Sequence, residues 1–250
     1  MNIKIYQRCK NLVLTLPVFI QSFSILLFVL INLFCGIKIA LKYFQTSAIE
    51  MLLIGIAWIG LAFLWIADAY KFIYDFFYDS PTLGNVFLNL ILVIGIIPFP
   101  VMLWVAGFTI LLNIKKRVRA LILILVAVVF LILEILLFST FFAAPNVSSY
   151  HFSSIYNYLI YIMCLLLVLI TGIIFSVQAL KSTNQKIKIK GKLLLLAFIL
   201  FTVGALIDTI FTYNDFIFNM TSRVLLIVSS LLFYIGFMLP DFLWNLFAVD

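Results

Sequence analysis

Seven apolar stretches, each broken by charge or turn residues, run from Leu12 to Pro240 and predict helices near 12–41, 50–78, 84–113, 118–143, 152–180, 192–213 and 222–240. Most meet or approach the roughly 20 residues needed to cross a ~30 Å hydrocarbon core. The connections between them are a dozen residues or fewer, so residues 1–250 are expected to form a single transmembrane domain. The expected fold class is an all-α polytopic membrane protein with seven transmembrane helices. The first stretch is too long for the apolar region of a secretory signal and has no small-x-small cleavage pattern, so it is expected to stay as the first helix.

Polar residues give these stretches a direction. Eleven of the sixteen bases fall in three connections: Lys38 and Lys42 in the first; Lys115, Lys116, Arg117 and Arg119 in the third; Lys181, Lys186, Lys188, Lys190 and Lys192 in the fifth. The even-numbered connections hold only Lys71 and Arg223 as bases, beside Asp75, Asp79 and Asp215. The positive-inside rule then places the N-terminus outside and the C-terminus in the cytoplasm, against the contrary charges of Lys4, Arg8 and Lys10. Two glycosylation sequons, at Asn146 and Asn219, fall in expected outer loops. Trp104 and Trp244 are expected as interfacial anchors at cytoplasmic helix ends, with Tyr70, Tyr74 and Tyr156 near outer ends. Pro98 and Pro100 predict a kink within the third helix, where a missing donor and a ring clash bend the axis.

An internal echo underlies the count. A shift of 140 residues aligns Asp68, Asp75 and Asp79 with Asp208, Asp215 and Asn219, Ala57 with Ala197, and Pro100 and Trp104 with Pro240 and Trp244. A shift of 139 brings Val29–Ile31 and Ala40–Lys42 onto Val168–Ile170 and Ala179–Lys181. Helices one to three thus pair with five to seven in a 3+1+3 parallel pseudo-repeat, an arrangement that repeat-built transporters use to frame a midplane site.

Composition agrees with a chain that lives in lipid: 66% hydrophobic and 10% charged, with a mean hydropathy of +1.30. The net charge of +7 is confined to membrane flanks, with no basic and aromatic strip on a polar helix face, so no nucleic-acid partner is expected. Cys9, Cys35 and Cys164 are odd in number and scattered, which predicts neither a disulfide framework nor a metal site. Nothing resembling HExxH, GxSxG or a P-loop occurs, and the seventh stretch has no lysine for a retinal Schiff base. No enzymatic activity and no cofactor are expected.

Ionisable residues inside spans are costly and mark function by default. Asp68, Glu134 and Asp208 qualify. At ~1.5 Å per residue they lie ~27, ~24 and ~24 Å from the basic ends of their helices, a common depth in the outer half of the bilayer. Facing one another they would form an acidic ligand-binding or proton-coupling site, with Arg223, Lys71 and His151 as counter-charges. Asp75 and Asp79 have the DxxxD spacing of magnesium and diphosphate sites, but no basic cluster accompanies them. The cytoplasmic basic loop, Lys181 to Lys192, suits anionic lipid or an acidic partner. Gly36 and Ala40 form a small-xxx-small pair that permits close helix approach.

The segment ALKSTNQKIKIKGKLLLLAFILFTVGALID from Ala179 to Asp208, with YIGFMLPDFLW from Tyr234 to Trp244, resembles a family of uncharacterised archaeal seven-helix integral membrane proteins. That family is loosely similar, in helix number and orientation, to the seven-helix sensor regions of histidine kinases. The resemblance implies signal input rather than catalysis. The chain stops ten residues after Pro240 with no output domain, so a separate cytoplasmic or membrane signalling partner is implied. The functional expectation is a receptor-like or small-ligand-binding membrane protein. Alternatives are a small-solute or proton-coupled transporter built from two three-helix repeats, and a structural subunit of a membrane complex.

Overall fold

The computed structural model describes residues 16–77, 97–143, 152–210 and 216–239. Among these, every regular element is a helix: α1 (Leu16–Leu41), α2 (Tyr43–Thr46), α3 (Ile49–Leu61), α4 (Phe63–Phe77), α5 (Pro98–Leu111), α6 (Lys116–Ala143), α7 (Phe152–Leu180), α8 (Gln185–Ile210) and α9 (Phe216–Met238). Five spans are long and apolar enough to cross a bilayer: α1 continuing into α2, and α6, α7, α8 and α9. A sixth is formed by α3 and α4 if the pair, bent by 46°, counts as one broken span. The protein is an integral multi-pass membrane protein. The first part of the third expected helix lies outside the described residues, leaving the 14-residue α5.

Sequential packing closes a ring. α1 packs against α3 and α4, α3 against α5, α5 against α7, α7 against α8, α8 against α9, and α9 back against α1. α6 stays outside, touching α5 and α7. Its Leu121, Ile124, Leu125, Leu131, Ile132 and Ile135 are all more than half exposed, a surface that only lipid accommodates.

Small residues set the closest approaches. A Cβ on Gly55 would fall on the backbone of Ala40, and one on Gly36 would lie 2.9 Å from the Gly55 carbonyl oxygen. The Gly36 and Ala40 pair therefore joins α1 to α3 within the chain. Gly191 plays the same part against Ala179, 2.9 Å from a hypothetical Cβ. At the break between α3 and α4, Gly60 lies directly against the Pro100 ring. Pro98 and Pro100 occupy the first turn of α5, where a missing N–H leaves no helical bond unmade. Any kink before Ile97 falls outside the described residues. Gly60→Ala is expected to lower stability by about 1–3 kcal/mol despite alanine's better helix propensity, because the new methyl meets a rigid ring. Adding Pro100→Ala should restore most of the loss; an unchanged unfolding midpoint in Gly60→Ala would show that the two helices separate freely.

Helix ends depart from the expected boundaries for local reasons. α8 begins at Gln185 rather than 192, because the Asn184 Oδ1 accepts the Lys186 N–H at 2.9 Å as an N-cap and lysine is a good helix former. Four of the five bases of the expected fifth loop thus lie on α8, and only Lys181 remains in the connection. α5 ends with Asn113 in the left-handed region, φ 54°, and the Ile114 N–H returning 3.0 Å to the Thr109 carbonyl. α9 starts at Phe216, which carries Asn219 into the helix at 3% exposure. That sequon is packed among helices, not displayed in a loop; the sequon at Asn146 lies outside the described residues.

Aromatic rings fill the centre of the ring. Trp58 of α3 stacks on Phe233 of α9 with centroids 3.7 Å apart. Trp104 of α5 meets Phe198 of α8 edge-on at 5.8 Å and Phe108 at 4.5 Å. Trp104 is fully buried, and its indole N–H donates to Thr171 Oγ1 at 2.8 Å. It is a core residue rather than the interfacial anchor that its expected helix end suggested, since it lies on the face of α5 that meets Trp58, Phe198 and Phe233 at the centre of the ring.

Candidate functional site

Near the ends of α8 and α4 and the start of α9, opposite the basic connections, the ring contains a buried charge pair. Gly204 allows α9 to approach α8 closely: a Cβ there would lie 3.1–3.2 Å from Leu225, Leu226 and the Ser222 carbonyl. One turn further along α8, Asp208 meets Arg223 of α9 through two parallel contacts, Nη2 to Oδ1 at 2.7 Å and Nη1 to Oδ2 at 2.9 Å. The fork matches a carboxylate in shape as well as charge, a bidentate geometry that lysine cannot copy. Asp208 is 7% exposed and Arg223 3%.

Further donors converge on the same carboxylate. The Trp65 indole N–H from α4 donates to Oδ2 at 2.6 Å, and the Ser222 hydroxyl reaches Oδ1 at 3.4 Å. Trp65 is held by the edge of Phe28 from α1, centroids 5.0 Å apart. Tyr161 of α7 closes the adjoining side by donating to the Ala205 carbonyl at 3.2 Å. Five elements thus support one carboxylate. Taking both charges out of water costs several kcal/mol per ion, offset only by geometry of this quality. Among the described residues the buried Arg223 Nε has no hydrogen-bond acceptor.

Asp68 stands beside this pair, three residues beyond Trp65 on α4. Its side chain is exposed, and the charges of Arg223, Asp208 and Lys71 act on it. The cluster therefore holds two acids against one buried base, with the second acid at its accessible edge. Such an arrangement can attract a cation or hold a proton, and it can change shape when either arrives.

The structure brings together Asp68, Asp208 and Arg223 of the residues singled out by the sequence, and leaves Glu134 apart. Glu134 is on α6, outside the ring, and none of the cluster's charges act on it. Its Oε1 is buried without a hydrogen-bond partner among the described residues. Equal depth along the helices said nothing about which way each carboxylate faces. His151 and Asp79 lie outside the described residues, as does the side chain of Asp75. Among the described residues no group of three or more His, Cys, Asp or Glu is placed to hold a metal ion. A shallow cleft lined by Lys116, Arg117, Arg119, Ala120 and Leu123 lies at the basic end, remote from the pair.

Sequence reasoning missed Trp65. Its signal was available: an indole inside a span needs an acceptor for its N–H, and Asp68 one turn away marked the level at which to look.

No known protein family, curated protein or solved structure matches the chain.

Proposed function

We propose that the protein is a non-enzymatic, receptor-like seven-helix membrane protein. Its N-terminus is outside, its C-terminus is cytoplasmic, and it senses a small cation or a proton at the Asp68, Asp208 and Arg223 cluster. One observation carries this reading: a bidentate ion pair, almost wholly buried among membrane helices, with an exposed acid beside it. An ion pair kept for stability alone would need no second acid within its field, since apolar residues of the same volume often serve as well. A cation at Asp68 competes for the pull of Arg223 on Asp208, and that competition is a means of shifting α8 against α9. The resemblance of the last third of the chain to a seven-helix family supports a signal-input role for this cluster.

The 3+1+3 pseudo-repeat belongs to this proposal. Shifting by 140 still relates Ile54 and Trp58 to Leu194 and Phe198, and the pairings are reciprocal: Trp58 stacks on Phe233 while Phe198 meets Trp104. For the third helix of each triplet, a shift of 129 also relates Trp104-Val-Ala-Gly107-Phe108 to Phe233-Tyr-Ile-Gly236-Phe237, while Pro240 and Trp244, the partners of Pro100 and Trp104 at a shift of 140, lie outside the described residues. Gly107 faces Ile54 as Gly236 faces Leu194. The lone position of α6 outside the ring supports the same division. This internal pairing favours a proton-coupled transporter as the second reading, although the stacked rings fill the place where a substrate would pass.

The test is a thermal-shift titration of purified protein with sodium, potassium and organic amines across pH. Asp68→Asn is expected to abolish the cation-dependent shift while leaving the unliganded midpoint within about 0.5 kcal/mol of wild type, as for a surface substitution. An identical shift in wild type and Asp68→Asn would sink the assignment of this cluster. Cation-driven uptake into proteoliposomes would move the choice to the transporter.

A further inference from the structure

At the opposite end of the ring, two lysines from different helices converge on a third helix. Lys42, just after α1, donates to the Phe237 carbonyl at 3.4 Å, and Lys190 of α8 donates to the same oxygen at 3.2 Å. This carbonyl belongs to the last turn of α9, where helical partners run out and the chain leaves with Leu239 at φ 34°. Lysine at a helix C-terminus is favourable, but one neutral carbonyl offers only a partial charge to two ammonium groups. Lys186 lies one turn before Lys190 on α8, and its charge acts on both of the others. Lys42 and Lys190 are half-buried, as are Lys186 and Lys188, whereas Lys181 and Lys192 of the same run are exposed.

Like charges gathered in a partly desolvated notch repel one another more strongly than in water. Positive-inside topology requires bases at this end, yet it is satisfied by lysines pointing anywhere into solvent. It does not require two of them, distant in sequence, to share an acceptor between α1, α8 and α9. The position of the notch narrows the choice of anion. Lys190 lies three residues before the first uninterrupted apolar run of α8, and Lys42 follows the last apolar turn of α1. Both ammonium groups therefore stand at the depth of lipid headgroups, where phosphate is the abundant anion.

We infer that Lys42 and Lys190 form a specific site for a phosphate group carried by an anionic membrane lipid, bridging α1 and α8 at the end of α9. A lipid phosphate between the ammonium groups replaces mutual repulsion with charge-assisted hydrogen bonds. It also ties α1 and α8 to α9, the helix that carries Arg223 at its other end. The site does not depend on the cation-sensing reading and is tested separately from it.

The experiment is native mass spectrometry of the detergent-purified chain with phosphatidic acid, phosphatidylglycerol and phosphatidylcholine, compared at equal concentration. Retention of the two anionic lipids above phosphatidylcholine is expected. Lys42→Gln with Lys190→Gln should reduce retention about thirtyfold, as expected from losing two bases at the headgroup level. Lys115→Gln with Lys116→Gln removes the same charge from another connection and should leave retention near wild type. Lys42→Arg with Lys190→Arg keeps the charge and reports on folding, and it should retain lipid. Equal losses in the two glutamine variants, or no preference for anionic lipid in wild type, would overturn the site. Displacement of bound lipid by millimolar inorganic phosphate, with protection by phosphate alone, would assign the same lysines to a free phosphate source.

Discussion

Arg223→Met is expected to destabilise the folded protein by about 3–5 kcal/mol, the largest effect of any single substitution on the α8 and α9 interface. The loss comes from what remains. Asp208 would keep its buried position and its contacts with Trp65 and Ser222 but lose the bidentate guanidinium that balances its charge. Removing both charges together, as Asp208→Leu with Arg223→Met, should recover most of the stability, because well-packed apolar residues often equal a buried ion pair. The Trp65 indole would then lack its acceptor, so recovery should be incomplete by about 1–3 kcal/mol. The protein contains its own reporters: Cys35 and Cys164 are both 0% exposed, so a thiol-reactive dye in a Cys9→Ser background reads unfolding directly. Equal midpoints for the single and double variants would mean that Asp208 is not stranded by losing Arg223, and that the pair is not the organising feature of this end of the bundle. Loss of the cation response in the stable double variant would connect the pair to the proposed function without the complication of unfolding.

Trp58→Ala should cost a similar amount, about 3–5 kcal/mol, for a different reason. Trp58 is fully buried and touches aromatic partners on three other helices: Phe233 at 3.7 Å, Phe201 at 5.2 Å and Trp104 at 5.8 Å. Truncation leaves a cavity in the middle of the ring, where lipid cannot enter and the surrounding helices can collapse only by breaking their glycine contacts. The indole N–H of Trp58 has no acceptor among the described residues. Trp58→Phe therefore keeps most of the stacking, removes an unpaired donor, and should cost under about 1.5 kcal/mol. Trp104→Phe gives up the bond to Thr171 and should cost about 1 kcal/mol more than Trp58→Phe. Thermal midpoints of the three variants give the order. A larger loss for Trp58→Phe than for Trp104→Phe would show that the Trp58 N–H is satisfied by something other than protein.

Much of the architecture was legible in the order of residues because membrane insertion reads local properties. The apolar runs ending near Leu41, Ala143 and Leu180 correspond to helix ends in the structure, since neither a long apolar turn nor a charged flank depends on distant contacts. The starts of α8 and α9 were harder. Lysine is both a loop residue in topology and a good helix former, and the Asn184 cap outweighs the charge in deciding where α8 begins. Trp104 illustrates a different limit. A tryptophan placed near a span end by counting residues reads as an interfacial anchor, and only the packing of its face of α5 at the centre of the ring makes it a core residue. The candidate site divides in the same way. Asp68, Asp208 and Arg223 stood out because charge within an apolar span is conspicuous. Trp65 did not stand out, because an aromatic residue in such a chain is ordinary until its N–H is seen to meet a carboxylate.

What the sequence determined alone is what a helix carries with it wherever it packs: its length, its apolar character, the end that holds its bases, and the depth of each buried charge. What only the tertiary structure decided is azimuth and neighbourhood. Asp208 and Glu134 have nearly the same depth, yet one faces Arg223 across a glycine-set helix contact and the other sits outside the ring on α6. Depth follows from a fixed rise per residue, whereas facing depends on how glycines, prolines and rings fit between helices far apart in the chain. That fit is a property of pairs of helices, and no single stretch of sequence contains it.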